Sequence, residues 1–407
     1  MMSKKSPQLR FEGFTDDWEE RKLGDYSENT FGGGTPKTGI DEYWTGDIPW
    51  IQSSDLKKEQ LYNVQPSKFI TDDAVKNSAT KLVPKNSIAI VTRVGVGKLA
   101  LLPFEYATSQ DFLSLSNLKV DKWFGIYSTY TMLQKELNNI QGTSIKGITK
   151  PELLKKKMRT PSLIDEQSKI GTLFKQLDDI IALHQSKLDL LKEQKKGFLQ
   201  KMFPKNGAKV PELRFAGFAD DWEERKLSSG LREYTDRVIV EDDKEYYQIS
   251  VRNNFGGITL RGSKMGNKIG RKRQAKINLT KYPQTLIFTR QTVEQGGIGW
   301  VDKYCDGAIV TENMPTISLD TSVFSKYFLT NLFQTRIFYK NAILDNIEGG
   351  SAQIAIHESK FLSSTLLFPN LDEQEKIGQF FKQLDDTIDL HQRKLDLLKE
   401  QKKGFLQ

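Results

Sequence analysis

Asp165–Gln200 reads DEQSKIGTLFKQLDDIIALHQSKLDLLKEQKKGFLQ, and Asp372–Gln407 reads DEQEKIGQFFKQLDDTIDLHQRKLDLLKEQKKGFLQ. The two segments are identical at 30 of 36 positions. Apolar residues recur in alternating steps of four and three, as at Ile170, Phe174 and Leu177, which is the spacing of a coiled-coil seam. The pattern predicts two helices of about 35 residues, each roughly 50 Å long. An antiparallel pairing of the two would hold the regions that precede them at a fixed distance.

Two features of these segments concern what surrounds the helices. His184 and His391 fall in the seam, where a polar residue fixes the register of a pairing. Leucines outside the seam would be exposed in a two-helix coil, so a further helix is expected to cover them. These leucines are Leu183, Leu190, Leu390 and Leu397.

A second repeat comes before each unmatched region. Gln8–Leu23 reads QLRFEGFTDDWEERKL and Glu212–Leu227 reads ELRFAGFADDWEERKL, with 13 of 16 positions identical. We call these two stretches the lead segments. The inserts between lead segment and helix, Gly24–Ile164 and Ser228–Leu371, have nearly the same length but do not match. We call each lead segment together with its repeated helix a frame. Near-identical frames around unlike inserts predict an α+β fold with two tandem copies of one αβ unit, related by a pseudo-twofold internal duplication.

These repeats also set the expected domain boundaries. We expect αβ domains at 1–163 and 204–370, followed by their helices at 164–203 and 371–407. Dimerisation through the helices alone would not explain why the frames match while the inserts differ.

The composition restricts the class of protein. A chain of 407 residues, of which 37% are hydrophobic and 28% charged, is expected to form two or three domains with buried cores. The net charge of +8 suits a polyanionic partner, either nucleic acid or an anionic membrane surface. One cysteine and three histidines argue against a disulfide framework and a zinc site. No secretory signal or membrane-length apolar run is present, so we expect a cytoplasmic protein.

Both inserts carry an apolar run that ends in Thr-Arg, at Arg93 and Arg290, followed by a glycine-rich stretch. We expect the two arginines to emerge at equivalent places. Reading base edges requires Arg, Lys, Asn, Gln, Ser or Thr side chains that reach a groove. The candidates in the first insert are Arg93, Lys98, Ser109 and Gln110, and those in the second are Arg252, Asn253, Asn254, Arg290, Gln291, Thr292 and Asn313.

Two further stretches are candidates for contacts with phosphates. The glycine loop Phe31–Thr38, which includes Lys37, either approaches a phosphate through backbone amides or forms a plain turn. The stretch Tyr43–Ile51 that follows is expected to be a buried aromatic turn that leads into a strand. In the second insert, six basic residues fall within 13 positions and suit phosphate contact. They are Arg261, Lys264, Lys268, Arg271, Lys272 and Arg273.

Signatures of catalysis are absent from the sequence. There is no G-x-x-x-x-G-K-[ST] loop, no H-E-x-x-H and no Asn-Pro-Pro-Tyr stretch. Glu193–Lys195 resembles the Glu-x-Lys of some nucleases, but it lies within the predicted coil. We therefore expect a chain that does no chemistry and holds no cofactor of its own.

Together these features resemble the specificity subunits of type I restriction-modification systems. The resemblance rests on the two lead segments, the stretch Tyr43–Ile51 with Ser53–Leu56 after it, the prolines Pro161 and Pro369, and the repeated helices. It implies two target-recognition domains that each read one part of a split DNA sequence, with the antiparallel helices as spacer.

The same resemblance implies the partners of the chain. They are double-stranded DNA, two methyltransferase subunits docked on the helices, and restriction subunits, with no membrane. S-adenosylmethionine, ATP and magnesium would bind those partner subunits. Two alternatives stay open, a structural scaffold that holds two proteins without reading sequence and a stand-alone DNA-modifying enzyme.

Overall fold

The computed structural model describes residues 7, 9–139, 147–205, 207–269, 275–346 and 355–406. The chain forms two compact units. The first unit comprises Met1–His184 together with Lys394–Gln407, and the second unit comprises Gln185–Arg393. Each long helix therefore contributes one part to each unit.

The first unit contains nine strands and three short or medium helices before its long helix, among the residues described. The strands are β1 Glu19–Lys22, β2 Ser27–Gly32, β3 Ile48–Ile51, β4 Phe69–Ile70, β5 Ser87–Val91, β6 Leu99–Leu102, β7 Ala107–Thr108, β8 Phe112–Leu118 and β9 Lys157–Thr160. The helices are α1 Asp72–Lys76, α2 Lys122–Asn139, α3 Lys150–Leu154 and the long α4 Ile164–Lys201.

The second unit has a similar order of elements, with eleven strands among the residues described, two of them seven or eight residues long. Its strands are β10 Glu223–Lys226, β11 Leu231–Tyr234, β12 Asp236–Arg237, β13 Glu245–Val251, β14 Ile258–Met265, β15 Ala275–Lys276, β16 Thr285–Phe288, β17 Ile298–Trp300, β18 Ile309–Val310, β19 Thr316–Leu319 and β20 Thr365–Phe368. Its helices are α5 Lys326–Leu332, α6 Arg336–Phe338, α7 Glu358–Ser363 and the long α8 Leu371–Phe405.

The sheets of the two units share one topology. An antiparallel four-stranded sheet has the order β2-β8-β5-β6 in the first unit and β11-β19-β16-β17 in the second. A second sheet, three-stranded in the first unit and five-stranded in the second, contains the parallel pair β3–β7 or β13–β18. The lead segment forms a two-stranded ribbon with the strand before the long helix, as β1–β9 and β10–β20. The predicted α+β fold with two tandem copies is confirmed.

The central strand of each four-stranded sheet is buried on both faces. In the first unit Ile88 and Ile90 of β5 face the cluster that includes Phe124 of α2, whereas Ala89 and Val91 face a second cluster. In the second unit all four residues of β16 are likewise buried. The continuous apolar runs that precede Arg93 and Arg290 are therefore strands enclosed on both sides.

The lead segment docks through one buried ion pair in each unit. Arg10 donates two hydrogen bonds to the carboxylate of Glu166, at 2.6 and 2.7 Å. Arg214 donates the same two bonds to Glu373, at 2.7 and 2.8 Å. The two glutamate side chains are 1% and 0% exposed. This bidentate geometry explains why an arginine and a Glu in the DEQ motif recur together.

The glutamine of the DEQ motif ties three elements together. The side chain of Gln167 donates to the carbonyl of Pro161 at 2.8 Å and accepts from the backbone amide of Asp121, just before α2, at 2.9 Å. Gln374 makes the matching bonds at 3.0 and 3.1 Å, to the proline before α8 and from the amide before α5. The motif therefore positions α2 and α5 against the long helices.

The glycine that follows each DEQ motif allows a close approach of backbones. A Cβ atom at Gly171 would lie 2.3 Å from the backbone nitrogen of Phe124, and one at Gly378 would lie 2.8 Å from that of Phe328. Both positions thus require a residue without a side chain.

The long helices run antiparallel to one another within each unit. In the first unit Lys402 donates to Asp178 at 2.5 Å, and Leu406 packs against the cluster that contains Phe174. In the second unit Lys195 pairs with Asp385 at 2.7 Å, and the rings of Phe198 and Phe380 are 5.0 Å apart. The end of α8 thus meets the first half of α4 in the first unit, whereas the end of α4 meets the first half of α8 in the second unit. The predicted antiparallel pairing is confirmed.

The burial of the helices follows the predicted seam. Leu188 and Leu395 are each 1% exposed, and His391 is 9% exposed. The four leucines outside the seam are exposed: Leu183 66%, Leu190 58%, Leu390 47% and Leu397 55%.

Candidate nucleic-acid interface

In the second unit, the turn after β13 and the turn after β16 form one surface. Asn254 and Phe255 donate backbone hydrogen bonds to the carbonyls of Gln295 and Gly296, at 2.7 and 3.0 Å. The side chain of Asn253 donates to the side-chain oxygen of Gln295 at 2.7 Å. Several predicted base-reading residues are therefore brought together here, although they are far apart in the sequence.

The first unit has an equivalent surface. The turn after β3 contains Ser53, whose carbonyl accepts a hydrogen bond from the ammonium of Lys98 at 2.8 Å. Lys98 ends the glycine turn that follows β5 and Arg93, and Gly95 in that turn lies beside Ser53. The turn after the parallel strand thus lies against the glycine turn in both units.

A third segment joins this surface in each unit, just before β8 or β19. The backbone amide of Thr92 donates to the carbonyl of Asp111 at 2.7 Å. The amide of Arg290 donates to the carbonyl of Asn313 at 3.0 Å.

The residue in this position is Thr92 in the first unit and Arg290 in the second. Ile148 and Ile356 donate to the carbonyls of these two residues, respectively. The expectation that Arg93 and Arg290 lie at equivalent places is therefore wrong by one residue, because the strand before the Thr-Arg step has five residues in β5 and four in β16.

The predicted residues of the first insert differ in accessibility. Arg93, Gln110 and Lys37 are exposed, and Gln110 accepts a hydrogen bond from Thr35 at 2.7 Å. Ser109, in contrast, is 6% exposed, and its backbone amide donates to the carbonyl of Ile51. Burial of Ser109 and the bond from Lys98 to Ser53 argue against direct base contacts by Ser109 and Lys98.

In the second insert most predicted residues are exposed. They are Arg252, Asn253, Asn254, Gln291 and Asn313. Arg290 is half-buried and donates two hydrogen bonds to Glu358 at the start of α7, at 2.9 and 2.6 Å. Burial raises the pKa of Glu358, but hydrogen bonds from its own backbone amide and from Arg290 hold that pKa below its ordinary value. Arg290 is therefore committed to an ion pair, unlike Arg93.

The glycine loop of the first insert has a packing role. The backbone amide of Gly34 donates to the carbonyl of Thr108 at 2.8 Å, so it is not available to a phosphate. A Cβ at Gly33 would lie 1.9 Å from the carbonyl oxygen of Ser109. Trp50 of β3 is 5% exposed and donates to the carbonyl of Gly34 at 3.0 Å. The predicted aromatic turn does lead into a strand, but Tyr43 and Trp44 of the turn are only half-buried, and of the aromatic residues Trp50 of β3 alone is buried. The glycines allow the loop to pack against Trp50.

The basic stretch of the second insert lies on an edge strand. All six residues from Leu260 to Met265 of β14 are exposed, including Arg261 and Lys264, and Lys268 after the strand is exposed too. Glu245 on the neighbouring strand accepts a hydrogen bond from Ser263 at 2.5 Å. Arg271, Lys272 and Arg273 lie outside the described residues. The described basic side chains are accessible to a polyanion.

Sequence reasoning missed the turn Gln52–Asp55 as part of this surface. Its residues carry no basic charge and stand out only weakly in the sequence. The signal that identifies the turn is topological, since it follows β3 as Arg252–Phe255 follows β13.

Two further features are absent from the residues that the structure describes. Within the described ranges, no helix has the length and apolar character needed to cross a membrane. The same residues contain no cluster of three or more His, Cys, Asp or Glu side chains arranged to hold a metal ion.

Two segments of the chain, residues 15–193 and 220–400, match the family described as the type I restriction modification DNA specificity domain. This chain belongs to that specificity family. The two matches correspond to the two copies of the repeat, so the assignment covers both units.

Relatives among characterised proteins carry the same designation. The type I restriction enzyme MjaIX specificity subunit of Methanocaldococcus jannaschii is 32% identical over 185 residues, which is 44% of this chain and 41% of that protein. The MjaVIII specificity subunit of the same organism is 22% identical over 413 residues, which is 96% of this chain and 91% of that protein. The chain therefore aligns with less than half of the first relative and with nearly all of the second.

Solved structures show the same fold. The S subunit of a type I restriction-modification system from M. genitalium superposes with a TM-score of 0.61 at 13% identity, covering 98% of both chains. A chain from a structure of type I restriction-modification complex assembly gives 0.52 at 14% identity, also over 98% of both chains. At such identities the likeness concerns the fold alone, and it agrees with a specificity-family chain of two αβ domains with long helices.

Proposed function

We propose that this chain is the DNA-reading subunit of a type I restriction-modification complex and that each unit reads one half of a split, asymmetric sequence. The observation that carries the proposal is the repeat. In each unit the same frame holds a surface formed by corresponding turns, but the side chains on the two surfaces differ. A symmetric dimer would present two identical surfaces and read a palindrome, whereas this chain presents two unlike ones.

The long helices act in this proposal as the spacer between half-sites. A helix of 38 residues, the length of α4, extends about 57 Å at 1.5 Å per residue. One turn of B-DNA is about 34–36 Å. The helices are therefore long enough to separate two readers by a turn of DNA.

The exposed leucines of the helices are the proposed docking sites for two methyltransferase subunits. Leu183, Leu190, Leu390 and Leu397 are each between 47% and 66% exposed. Leu390 and Leu397 stand at the positions of Leu183 and Leu190 in the repeat, so two copies of one partner find matching contacts. Apolar residues exposed together on a helix face favour a protein partner.

The chemistry of the complex belongs to other subunits in this proposal. S-adenosylmethionine would bind the methyltransferase subunits, and ATP with magnesium would serve restriction subunits. The chain itself does no chemistry, because the sequence offers none of the catalytic signatures sought, and the complex acts on DNA in the cytoplasm.

Contacts with phosphates are assigned to the exposed basic side chains on and after β14. Such contacts supply affinity that depends on salt and hardly on sequence. Replacing both Arg261 and Lys264 by Ala should weaken binding to every duplex and reduce the slope of log affinity against log salt by up to about two. A loss confined to one sequence would contradict this assignment.

The decisive experiment reconstitutes the chain with its partner methyltransferase and maps protection and methylation on a library of random duplexes. We expect a footprint with two separated specific segments. Protection without sequence preference would favour the scaffold alternative. Reproducible methylation or cleavage by the chain alone, with magnesium, ATP and S-adenosylmethionine supplied, would favour the stand-alone enzyme.

A further inference from the structure

We propose that the turn Gln52–Ser54 supplies base-reading side chains of the first unit. The proposal rests on the proposed DNA-reading function and names residues of that function. Neither charge nor glycine content marks this turn, and its assignment comes from its place in the fold.

The first argument is topological equivalence. β3 pairs in parallel with β7, and β13 pairs in parallel with β18. Each of β3 and β13 is followed directly by a polar turn, Gln-Ser-Ser in the first unit and Arg-Asn-Asn in the second. Both turns therefore follow the strand that makes the parallel pair, and both contact the turn that follows the inner strand β5 or β16.

The second argument is contact with the arginine-bearing turn. The carbonyl of Ser53 holds the ammonium of Lys98 at 2.8 Å, five residues after the exposed Arg93. In the second unit a different bond joins the two turns, since the backbone amide of Asn254 donates to the carbonyl of Gln295, five residues after Arg290. An exposed arginine beside a polar turn is a combination suited to a DNA groove, since Arg contacts guanine or phosphate and Gln contacts adenine.

The third argument is preorganisation. Asp55 accepts a hydrogen bond from the backbone amide of Gln52 at 2.9 Å and another from Ser67 at 2.6 Å. The side chain of Gln52 donates to Ser67 at 3.2 Å. These bonds engage the carboxylate of Asp55 within the turn and restrain the backbone of the turn. A turn that is fixed before binding loses little conformational entropy when it binds.

Accessibility divides the roles within the turn. Ser54 is exposed, whereas Gln52 and Ser53 are half-buried. Ser54 is therefore positioned to reach DNA directly. Gln52 offers an amide that reads a base edge after exchanging its bond with Ser67.

The test uses the full chain in complex with its partner methyltransferase and a duplex library randomised in both half-sites. A chain with Gln52→Ala and Ser54→Ala should lose about 10–100-fold discrimination at one or two base pairs of one half-site. The other half-site should be unchanged. Asn253→Ala should do the reverse and alter only the half-site that the double variant leaves intact.

Controls separate reading from folding. Ser54→Ala alone removes an exposed hydroxyl without touching the bonds to Asp55, so it must show part of the effect at an unchanged melting temperature. Ser186→Ala, an exposed serine on α4, should leave both half-sites as they were.

The outcomes distinguish this inference from the function on which it rests. If the unmutated complex protects two separated segments but the double variant reads both half-sites as before, the inference alone is wrong. Altered reading of both half-sites by the double variant would also overturn it. If the unmutated complex shows no split target, both proposals fail.

Discussion

The two units repeat the arginine–glutamate pair and the two glutamine bonds of their frames, whereas the surfaces that the frames hold are built from corresponding turns with different side chains. Arg10–Glu166 and Arg214–Glu373 have the same bidentate geometry to within about 0.1 Å. Just after the inner strand, in contrast, Arg93 is exposed, whereas Arg290 of the matching Thr-Arg sequence is held by Glu358. Structural contacts are thus kept identical where they set the position of a domain, and side chains differ where they are offered to a ligand.

The junction between domain and helix lies between these extremes. Tyr127 of α2 donates to Asp178 of α4 at 2.6 Å, and Asp178 also pairs with Lys402. Phe328 packs on Gly378 as Phe124 packs on Gly171, so Asn331 occupies the position of Tyr127. The side chain of Asn331 donates to the carbonyl of Tyr327. Asn331 thus bonds within α5 and does not repeat the bond that Tyr127 makes to the long helix.

The largest expected effect is on the buried ion pair of the frame. Arg214→Ala leaves the carboxylate of Glu373, which is 0% exposed, without its partner. We expect a loss of about 3 kcal/mol in the free energy of unfolding of the second unit, because an unpaired buried charge is costly. Urea unfolding of the purified chain measures it. Arg225→Ala, which removes an exposed pair in the same lead segment, should cost under about 0.5 kcal/mol, and equal losses would show that burial does not matter here.

The next effect compares the helix glycines. Gly171→Ala should destabilise the first unit by about 1–2 kcal/mol, because overpacking outweighs the gain in helix propensity. Gly378→Ala should cost less, since its Cβ would lie 2.8 Å from the nearest backbone nitrogen, compared with 2.3 Å at Gly171. A Cβ atom at Gly197 on α4 would meet no described atom outside its own helix within 4 Å, so Gly197→Ala should stabilise the chain slightly. Thermal unfolding of the three variants gives the order, and a stabilising Gly171→Ala would contradict the close approach.

A smaller effect tests the junction that only the first unit has. Tyr127→Phe removes the hydroxyl that donates to Asp178, and we expect a loss of about 1 kcal/mol, since Asp178 keeps its bond from Lys402. Tyr130→Phe on the same helix removes a hydroxyl for which the described residues provide no hydrogen bond, so it should change stability by less. Calorimetric unfolding of both variants compares them, and similar losses would argue against a special role for the bond to Asp178.

The smallest effect concerns pH. Since the pKa of Glu358 in the folded chain lies below its ordinary value of 4.5, its stabilisation is complete above that value and is lost as pH falls through the lowered pKa. Arg290→Ala should raise the pKa of Glu358 and shrink this stabilisation. Unfolding midpoints measured from about pH 3 to about pH 7 should then converge at the acid end for the variant and the unmutated chain.

The first unit provides the contrast for this pH effect. There Glu152 has a lowered pKa because the side chain and backbone amide of Thr149 donate to it, and no arginine takes part. Arg93→Ala should therefore leave the acid-side profile as it was. A profile altered by Arg93→Ala as much as by Arg290→Ala would remove the difference between the two arginines.

Much of the fold was predictable because its signals are local or repeated. The seam spacing of the helices, the duplicated lead segments and the apolar runs before Arg93 and Arg290 each identify an element without knowledge of its neighbours. The site was predictable only in part. Exposure of Arg252, Asn253 and Asn254 agrees with the prediction for them, but burial of Ser109 and the ion pair of Arg290 depend on chain segments more than 40 residues away.

The sequence by itself determined that this protein is a duplicated frame around two unlike inserts, because identity at a fixed offset is visible without coordinates. It also determined the helix seam, since a heptad pattern specifies which face is buried, whereas the contacts between α4 and α8 decided the antiparallel direction. Only the tertiary structure decided what the repeated Arg, Glu, Gln and Gly residues do and which polar residues share a surface. The physical reason is that ion pairing, close backbone approach and exposure arise between segments distant in the chain, and no local pattern encodes which segments will meet.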